Sequence, residues 1–564
     1  MCCGNKGLPT LPCGMRQAFI AFRDKGEEMG TCEHKAYNFT SVRKPMYATN
    51  GMVCTSQPLA AQAGLAVLRE GGNAVDAAIA TAITLTVTEP NSNGLGSDAF
   101  VLVWADGALH GLNGSGASPQ SLSLSTVKAG GYSAMPERGW IPVTVPGAPG
   151  AWAELHRRFG RLPFERLFSD AIRYAEEGYG VSPTTAKEWQ EALQLMKPFA
   201  GKAPFAGFFD TFGYGGKAPK AGDRVYLPGH AKALRLLAES HCESLYRGEL
   251  AKVIDEFSKA TGGYITKDDL AAYHPEWQTP ISCKYHGYDV WEMPPNTHGL
   301  VALMALAILD EVPCKQFGTA DTVHKQIEAL KQAYINGKAF ITDPNHMSVS
   351  VEELLSPEYI QRLRNTIGDS AVKPKAVRPD SGGTVYLATA DREGMMVSFI
   401  QSNYMGFGSG IVIPGYGIAL NDRGANFSLD EAHDNCLAGG KRPYHTIIPG
   451  FLTKDTLPVG PFGVMGAFMQ PQGHVQAVMN MIDFAMNGQE ALDAPRWQWI
   501  DGLRIEVEPG FGDDVVRRLK ELGHIVKVNS DPTSFGRGQI IRRKEDGVLE
   551  GASEARADGL VAAY

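Results

Sequence analysis

The chain carries few of the short signatures that usually disclose a chemistry, and each absence removes a class. No serine has glycine two places before it and two places after it, so a nucleophile elbow is excluded. His-Glu-x-x-His and Gly-x-x-x-x-Gly-Lys-Ser/Thr are also missing, which removes a zincin site and a Walker-type phosphate cradle. The nine cysteines (Cys2, Cys3, Cys13, Cys32, Cys54, Cys242, Cys283, Cys314, Cys436) are odd in number, irregularly spaced and never C-x-x-C. They read as reduced thiols rather than a disulfide framework. The N-terminus shows no secretory apolar region, since Met15–Phe22 is short and broken by Arg16, so a cytoplasmic location is the expectation. Cys2-Cys3 offers thiols for acylation, but the glycine that myristoylation needs is absent. The longest apolar stretch, Ala74–Val87, holds Asp76, Thr81, Thr84 and Thr86 and is too short to span a bilayer, so it reads as a buried helix. Positive charge is not in excess: 53 basic residues face 61 acidic ones, and a net charge of -8 favours neither nucleic acid nor an anionic membrane. No internal repeat and no low-complexity tract occurs.

What is present is an ordinary globular balance, 44% hydrophobic and 20% charged. Length alone suggests about four domains. Residues 1–45 show little period and are expected to be poorly ordered. Helices are expected over Leu59–Glu70, after a cap at Asn73, and near Val475–Met486, with residues 150–375 mainly helical. Strands are expected over Ala99–Trp104, Ala108–Leu112, Ile281–Glu292, Thr384–Ala390, Met395–Ser402, Thr446–Leu452, Leu503–Val507 and Gln539–Arg543. The mixture implies a layered α/β fold. His324 and Glu328 share a helix face but are too few for a metal site, so no metal is expected. Gly94-Leu95-Gly96 and Gly114-Ser115-Gly116 read as turns rather than phosphate holders. No cofactor is expected.

The informative point is Gly383–Thr384, in Asp380-Ser381-Gly382-Gly383-Thr384-Val385-Tyr386. A threonine heading a strand is ordinarily just a β-former. Here Lys373–Asp380 before it reads as an exposed loop rich in proline and charge, and Gly382-Gly383 frees the backbone. The returning strand brings Ser402 and Asn403 toward Thr384. If the bond before Thr384 is cut, that residue holds a hydroxyl nucleophile and an α-amine base together, which is the equipment for acyl transfer.

At these residues the chain resembles the γ-glutamyltransferase family of N-terminal-nucleophile hydrolases. The resemblance runs from about Ala48 to Tyr564. It is carried by Gly72-Asn73-Ala74-Val75-Asp76-Ala77-Ala78, Glu89-Pro90, Pro146-Gly147-Ala148-Pro149-Gly150, Phe407-Gly408-Ser409-Gly410, Lys441-Arg442-Pro443, Asp493-Ala494-Pro495-Arg496 and Gly551-Ala552-Ser553. It implies a four-layer αββα sandwich, matured by self-cleavage between Gly383 and Thr384. The products would be a large subunit, whose ordered part is 46–383, and a small catalytic subunit, 384–564, paired as one heterodimeric unit with a further homo-oligomer left open. It also implies that Thr384 attacks a small-molecule amide, with the N–H groups of Gly466 and Ala467 as oxyanion donors. Ser402 stands where the family has a threonine beside the nucleophile.

The departures fall in the substrate pocket. The family's carboxylate-binding arginine is Ser115 here, and its substrate-binding asparagine is Tyr404, with Asn403 next door. Its glutamine and aspartate become Arg423 and Asn426, and its serine pair becomes His445 and Thr446. Arg423 reads either as a replacement carboxylate clamp or as a surface arginine. The segment Phe427–Lys441 is short for a lid, which favours hydrolysis over transfer. Three functions follow: a γ-glutamyl amidohydrolase acting on a compound such as glutathione, an amidohydrolase for another carboxylate-bearing amide such as an oxamate-like one, or a catalytically silent binding protein.

Overall fold

Two seven-stranded sheets carry the computed structural model, which describes residues 42–374 and 383–564. The expectations for residues 1–41 and for most of the loop 373–380, and the freedom assigned to Gly382, lie outside the described residues. At the centre of the first sheet runs Gly383–Asp391, buried along almost its whole length. It is antiparallel to Gly51–Thr55 on one side and to Met396–Tyr404 on the other. Met396–Tyr404 pairs in turn with Asp98–Ala105, which folds back as Ala108–Gly114. The second sheet places Gly450–Lys454, Leu457–Met465, Arg537–Arg543 and Leu549–Ser553 side by side, flanked by Met46–Ala48 and by the hairpin Ile281–Tyr285/Tyr288–Glu292.

Three apolar clusters lie among these elements. Met52, Phe100, Tyr386, Met396, Phe451, Met465 and Ile541 join residues of both sheets in one cluster. A second packs the first sheet under the helices Pro58–Arg69 and Ala74–Thr88. A third packs the second sheet under Gly299–Leu309, Ala320–Phe340 and Gln470–Ile482. Ala74–Thr88 is buried throughout, and Asn73 with Asp76 makes the capping box that starts it. Mixed α/β architecture is therefore what the alternating and helical apolar periods produce.

Several expectations change. Ile281–Glu292 is two strands, broken at His286-Gly287, where both residues have positive φ and His286 Nδ1 meets Asp483 at 2.6 Å. Thr446–Leu452 begins pairing only at Gly450, because His445 and Ile448 give their N–H groups to Asn296 O and Gln470 Oε1 instead of to a neighbouring strand. The helix expected at Val475–Met486 runs Gln470–Ile482. Instead of four domains, Arg43–Tyr564 forms one compact unit, since each sheet takes strands from both ends of this span. No helix of the described residues is long and apolar enough to cross a membrane.

The two sheets meet closely at Gly463, where a Cβ would lie 2.5 Å from the Tyr386 ring. Gly463→Ala is expected to cost about 1–3 kcal/mol by overpacking, read as a lower denaturant midpoint. An unchanged midpoint would contradict this contact.

Candidate active site

Thr384 is buried, and a β-bulge decides what it touches. Val385 pairs with Gln401 while Gly383 pairs with Tyr404, so Ser402 and Asn403 together face one residue. Thr384 Oγ1 donates to Ser402 Oγ at 3.1 Å. Ser402 Oγ donates to the Gly383 carbonyl at 2.7 Å and accepts from Tyr404 N–H at 2.7 Å. One hydroxyl thus touches both the prospective nucleophile and the carbonyl it would attack. The bulge also separates neighbours. Asn403 reaches the Gly94–Ser97 turn, where Ser97 Oγ donates to its Oδ1 at 2.9 Å. Tyr404, with φ of 81°, places its ring 4.6 Å from the Arg423 guanidinium. Gly383 does not occupy the left-handed region. What requires glycine there is proximity, because a Cβ would lie 3.2 Å from Ser92 Cα.

Arg423 is fully buried, which excludes the surface reading. It opens the short turn Arg423–Asn426. Its NH1 donates to Thr446 Oγ1 at 2.7 Å, while its Nε and NH2 meet no hydrogen-bond acceptor. Asp98, the nearest carboxylate, has Oδ2 3.9 Å from Nε. That carboxylate is engaged elsewhere: His445 Nε2 lies 3.0 Å from Oδ2, and Gly116 N–H donates to Oδ1 at 3.2 Å. Burial pushes Asp98 up to about 7, against the pull of Arg423 and the Gly116 N–H. Burial, then Arg423 and His298, holds His445 well below the usual histidine range, so the ring is neutral. Asp98 is the register partner of Ser402, which ties this buried group to Thr384 across one strand.

The other anticipated residues divide. Ser115 spends its hydroxyl on Asn113 Oδ1 at 2.7 Å. The Asn426 side-chain amide donates to Arg423 O at 3.4 Å, and the Asn426 main-chain carbonyl accepts from Asn435 Nδ2 at 2.6 Å. Gly466 and Ala467 leave the strand with φ of 138° and 48°, and neither N–H enters a backbone hydrogen bond among the described residues. The chain turns sharply here, from the end of the strand Leu457–Met465 into the short turn Ala467–Met469. The segment Phe427–Lys441 is folded on itself through Ser428 and Asn435, and Lys441 Nζ binds Cys436 O at 3.0 Å. Beside it opens a cleft of about 670 Å³ lined by Tyr132, Met135, Tyr404, Met405, Phe427 and Leu429 among others. A larger cavity, about 880 Å³, lies around Trp104 and Gly394, at the opposite end of the central hairpin from Thr384.

Sequence reasoning missed Asp98. Its signal was a carboxylate at the head of an otherwise apolar strand. It also missed Asn435, whose Oδ1 braces Tyr444 N–H at 3.0 Å. His324 and Glu328 do gain a third companion, His524, but Lys331 Nζ already sits 2.7 Å from Glu328 Oε1 and brings positive charge to the group.

The family model described as gamma-glutamyltranspeptidase matches residues 60–564. The glutathione hydrolase-like YwrD proenzyme of Bacillus subtilis is 36% identical, covering 92% of this chain and 99% of its own. The oxamate amidohydrolase proenzyme of Klebsiella pneumoniae is 37% identical, covering 92% and 99%. Among solved structures, cephalosporin acylase from Bacillus halodurans is similar with a TM-score of 0.92 and 57% identity, covering 95% of this chain and 99% of that one.

Thr446→Val keeps the side-chain shape and removes the acceptor of Arg423 NH1. It is expected to lower unfolding free energy by about 1–3 kcal/mol, measured in urea; a change within error would contradict that contact's weight.

Proposed function

We propose, from the premise that this chain belongs to the gamma-glutamyltranspeptidase family, that it is a self-processing amidohydrolase for amides whose acyl part carries a carboxylate. The observation that carries the reading is the buried guanidinium edge of Arg423, with Nε and NH2 lacking acceptors in a polar cluster joined to Thr384 through Asp98 and Ser402. Two parallel N–H donors on a planar cation suit a carboxylate. A buried donor without an acceptor is costly, and a substrate carboxylate relieves it. At the places where the family reads the α-amino acid part, Ser115 and Asn426 are uncharged; Asp422 Oδ2, also without a hydrogen-bond partner, has Arg138 NH1 at 3.5 Å as a cation of its own. The names of relatives lean the same way, toward an oxamate amidohydrolase and a cephalosporin acylase. The γ-glutamyl reading keeps the support of the YwrD relative's name. The 670 Å³ cleft beside Tyr404, where Tyr132, Met135 and Phe427 alternate with Lys128, Glu137 and Asp430, offers room for a bulky leaving amine of mixed polarity.

The four-layer αββα sandwich is part of this reading, supported by the apolar cluster shared by both sheets and the helix-bearing clusters on each. So is maturation into subunits 1–383 and 384–564. In maturation the Thr384 hydroxyl attacks the Gly383 carbonyl, which Ser402 polarises, and water then releases the ester. In turnover the freed α-amine, with an ordinary pKa of about 7.7–8.0, takes the hydroxyl proton as Thr384 attacks the substrate amide. Gly466 and Ala467 N–H groups receive the oxyanion, each such donor being worth about 3–4 kcal/mol in other enzymes. The leaving amine departs through the cleft, and water resolves the acyl-enzyme.

A denaturing gel tests processing: two fragments meeting at Thr384 are expected for the native sequence, and one full-length band for Thr384→Ala. A panel tests the acyl group. A dicarboxylic mono-anilide without an α-amine should exceed both the γ-glutamyl anilide and a simple acyl anilide, and Arg423→Gln should lower its kcat/KM about 30-fold or more through KM. Preferred γ-glutamyl turnover that ignores Arg423→Gln would sink the clamp. Burial pushes both Asp98 and Asp422 up to about 7, and both interact with Arg423, so as pH falls through that range the guanidinium loses two competing charges. KM for the anionic substrate should therefore fall as pH falls across that range, and Asp98→Asn should reduce the change.

A further inference from the structure

A second buried polar group lies on the other side of the Gly383–Thr384 bond, and the mechanism above leaves it unused. Glu89 closes the helix Ala74–Thr88 and is almost wholly buried. Its Oε2 accepts from Ser56 Oγ at 2.5 Å, while Oε1 has no hydrogen-bond partner, its nearest cation being Arg537 NH1 at 3.8 Å. Arg537 pairs closely with Glu188 through NH2 and leaves Nε unpartnered. Asn91 donates to Glu188 Oε2 at 2.7 Å and to Ser92 Oγ at 3.1 Å, and its own Oδ1 is also unpartnered. Three orphaned buried atoms in one cluster indicate a place that an additional donor or a proton visits.

The cluster reaches both halves of the reaction centre. A Cβ on Gly383 would lie 3.5 Å from Ser92 Oγ and 3.5 Å from Asn91 O. Arg537 is the register partner of Met465, the residue before the Gly466-Ala467 turn. Ser402 bonds the carbonyl of the scissile peptide, while Ser92 packs against Gly383 and its hydroxyl serves the Glu89 carboxyl group.

We propose that Glu89, acting through the Ser92 hydroxyl, supplies the proton that the Thr384 nitrogen needs when its bond to Gly383 breaks during maturation. The proposal rests on the self-processing reading. The bond from Thr384 Oγ1 to the Gly383 carbonyl carbon forms first, and the hydroxyl proton passes through Ser402 to the carbonyl oxygen. The carbon–nitrogen bond then breaks. Ser92 gives its proton to the nitrogen and takes one from Glu89. The carbonyl re-forms and releases the proton it had gained to solvent water, from which Glu89 is reloaded. The net change is one proton moved from Oγ1 to nitrogen, with Glu89 unaltered. A neutral carboxyl group is required for this. Burial raises Glu89 above its usual range, and Asp558 adds to the effect. Arg537 and the hydroxyls of Ser56 and Ser92 oppose it, and Glu188 is held by Arg537 and Asn91. Glu89 acts through Ser92 and is in that sense a positioning residue.

The test follows self-cleavage of full-length precursor over time, by gel, across a pH series. The native sequence should cleave more slowly as pH rises above the usual carboxylate range. Glu89→Gln keeps the acceptor for Ser56 and removes the acid, so cleavage should slow about 100-fold and lose that pH limb. Ser92→Ala should slow cleavage similarly while the carboxyl group remains. Glu89→Gln that matures at the native rate with the native pH profile overturns the proposal, and so does Ser92→Ala that matures normally if Glu89→Gln fails to fold. A native precursor that never cleaves overturns the self-processing reading and this proposal with it.

Discussion

The structure turns on the three hydrogen bonds of Ser402 Oγ. It accepts from Thr384 Oγ1 and from Tyr404 N–H, and it donates to the Gly383 carbonyl. A regular antiparallel ladder would give each residue one partner and alternate the faces. The bulge at Ser402-Asn403 breaks that alternation once, at the place where the central strand begins. Hydroxyl and carbonyl then meet at one oxygen, Asn403 turns away, and Tyr404 comes round beneath Arg423. Such bulges re-aim side chains next to sites, and this one brings the Thr384 hydroxyl, the Gly383 carbonyl and the surroundings of Arg423 together.

Charge is arranged just as locally. The first cluster holds Arg423, Asp98, Asp422 and a neutral His445, so its net charge depends on whether the two carboxyl groups are ionised, which changes at about 7 for both. The second cluster holds Arg537 between Glu188 and Glu89. Isolated buried charges are too costly to persist, so each cation has a carboxylate within reach. In both clusters the pairing is incomplete, with Nε of each arginine left over. Incomplete pairing is expected where a substrate group or a proton is to arrive, and unexpected in a purely structural bridge.

Much of this was legible in the sequence, for identifiable reasons. The hairpin after Thr384 was clear because two short, largely apolar runs on either side of the Asp391–Gly394 turn are local signals. The helix cap at Asn73 was clear because Asp76 lies within one turn of it. Ser115, Arg423, His445 and Thr446 could be singled out by place, but not their relation. Whether Arg423 is a clamp or a surface residue depends on partners 23 positions away at Thr446 and hundreds away at Asp98. Asp98 itself was passed over because a polar residue heading a strand looks like a loop residue. The break at His286-Gly287 was invisible because its cause, Asp483, is remote in sequence.

A cut before Thr384 would not release the pieces, and the reason lies in the order of strands. In the first sheet Gly51–Thr55, from before the cut, lies between Leu560–Ala563 and Gly383–Asp391, both from after it except for Gly383 itself. On the far side Asp98–Ala105 continues the ladder from Met396–Tyr404. The second sheet is mixed in the same way: Met46–Ala48 adds to Leu549–Ser553 at one end, and Tyr288–Glu292 adds to Gly450–Lys454 at the other. Separation would break ladders on both sides of several strands and expose the apolar cluster that the sheets share. It would also strand Arg423 without Asp98, and Arg537 without Glu89 and Glu188, leaving cations without the carboxylates they are buried with. Removing one peptide bond at the head of a strand leaves all of these contacts intact. The local chemistry at Gly383–Thr384 can therefore generate a new chain end while the surrounding fold holds that end in place.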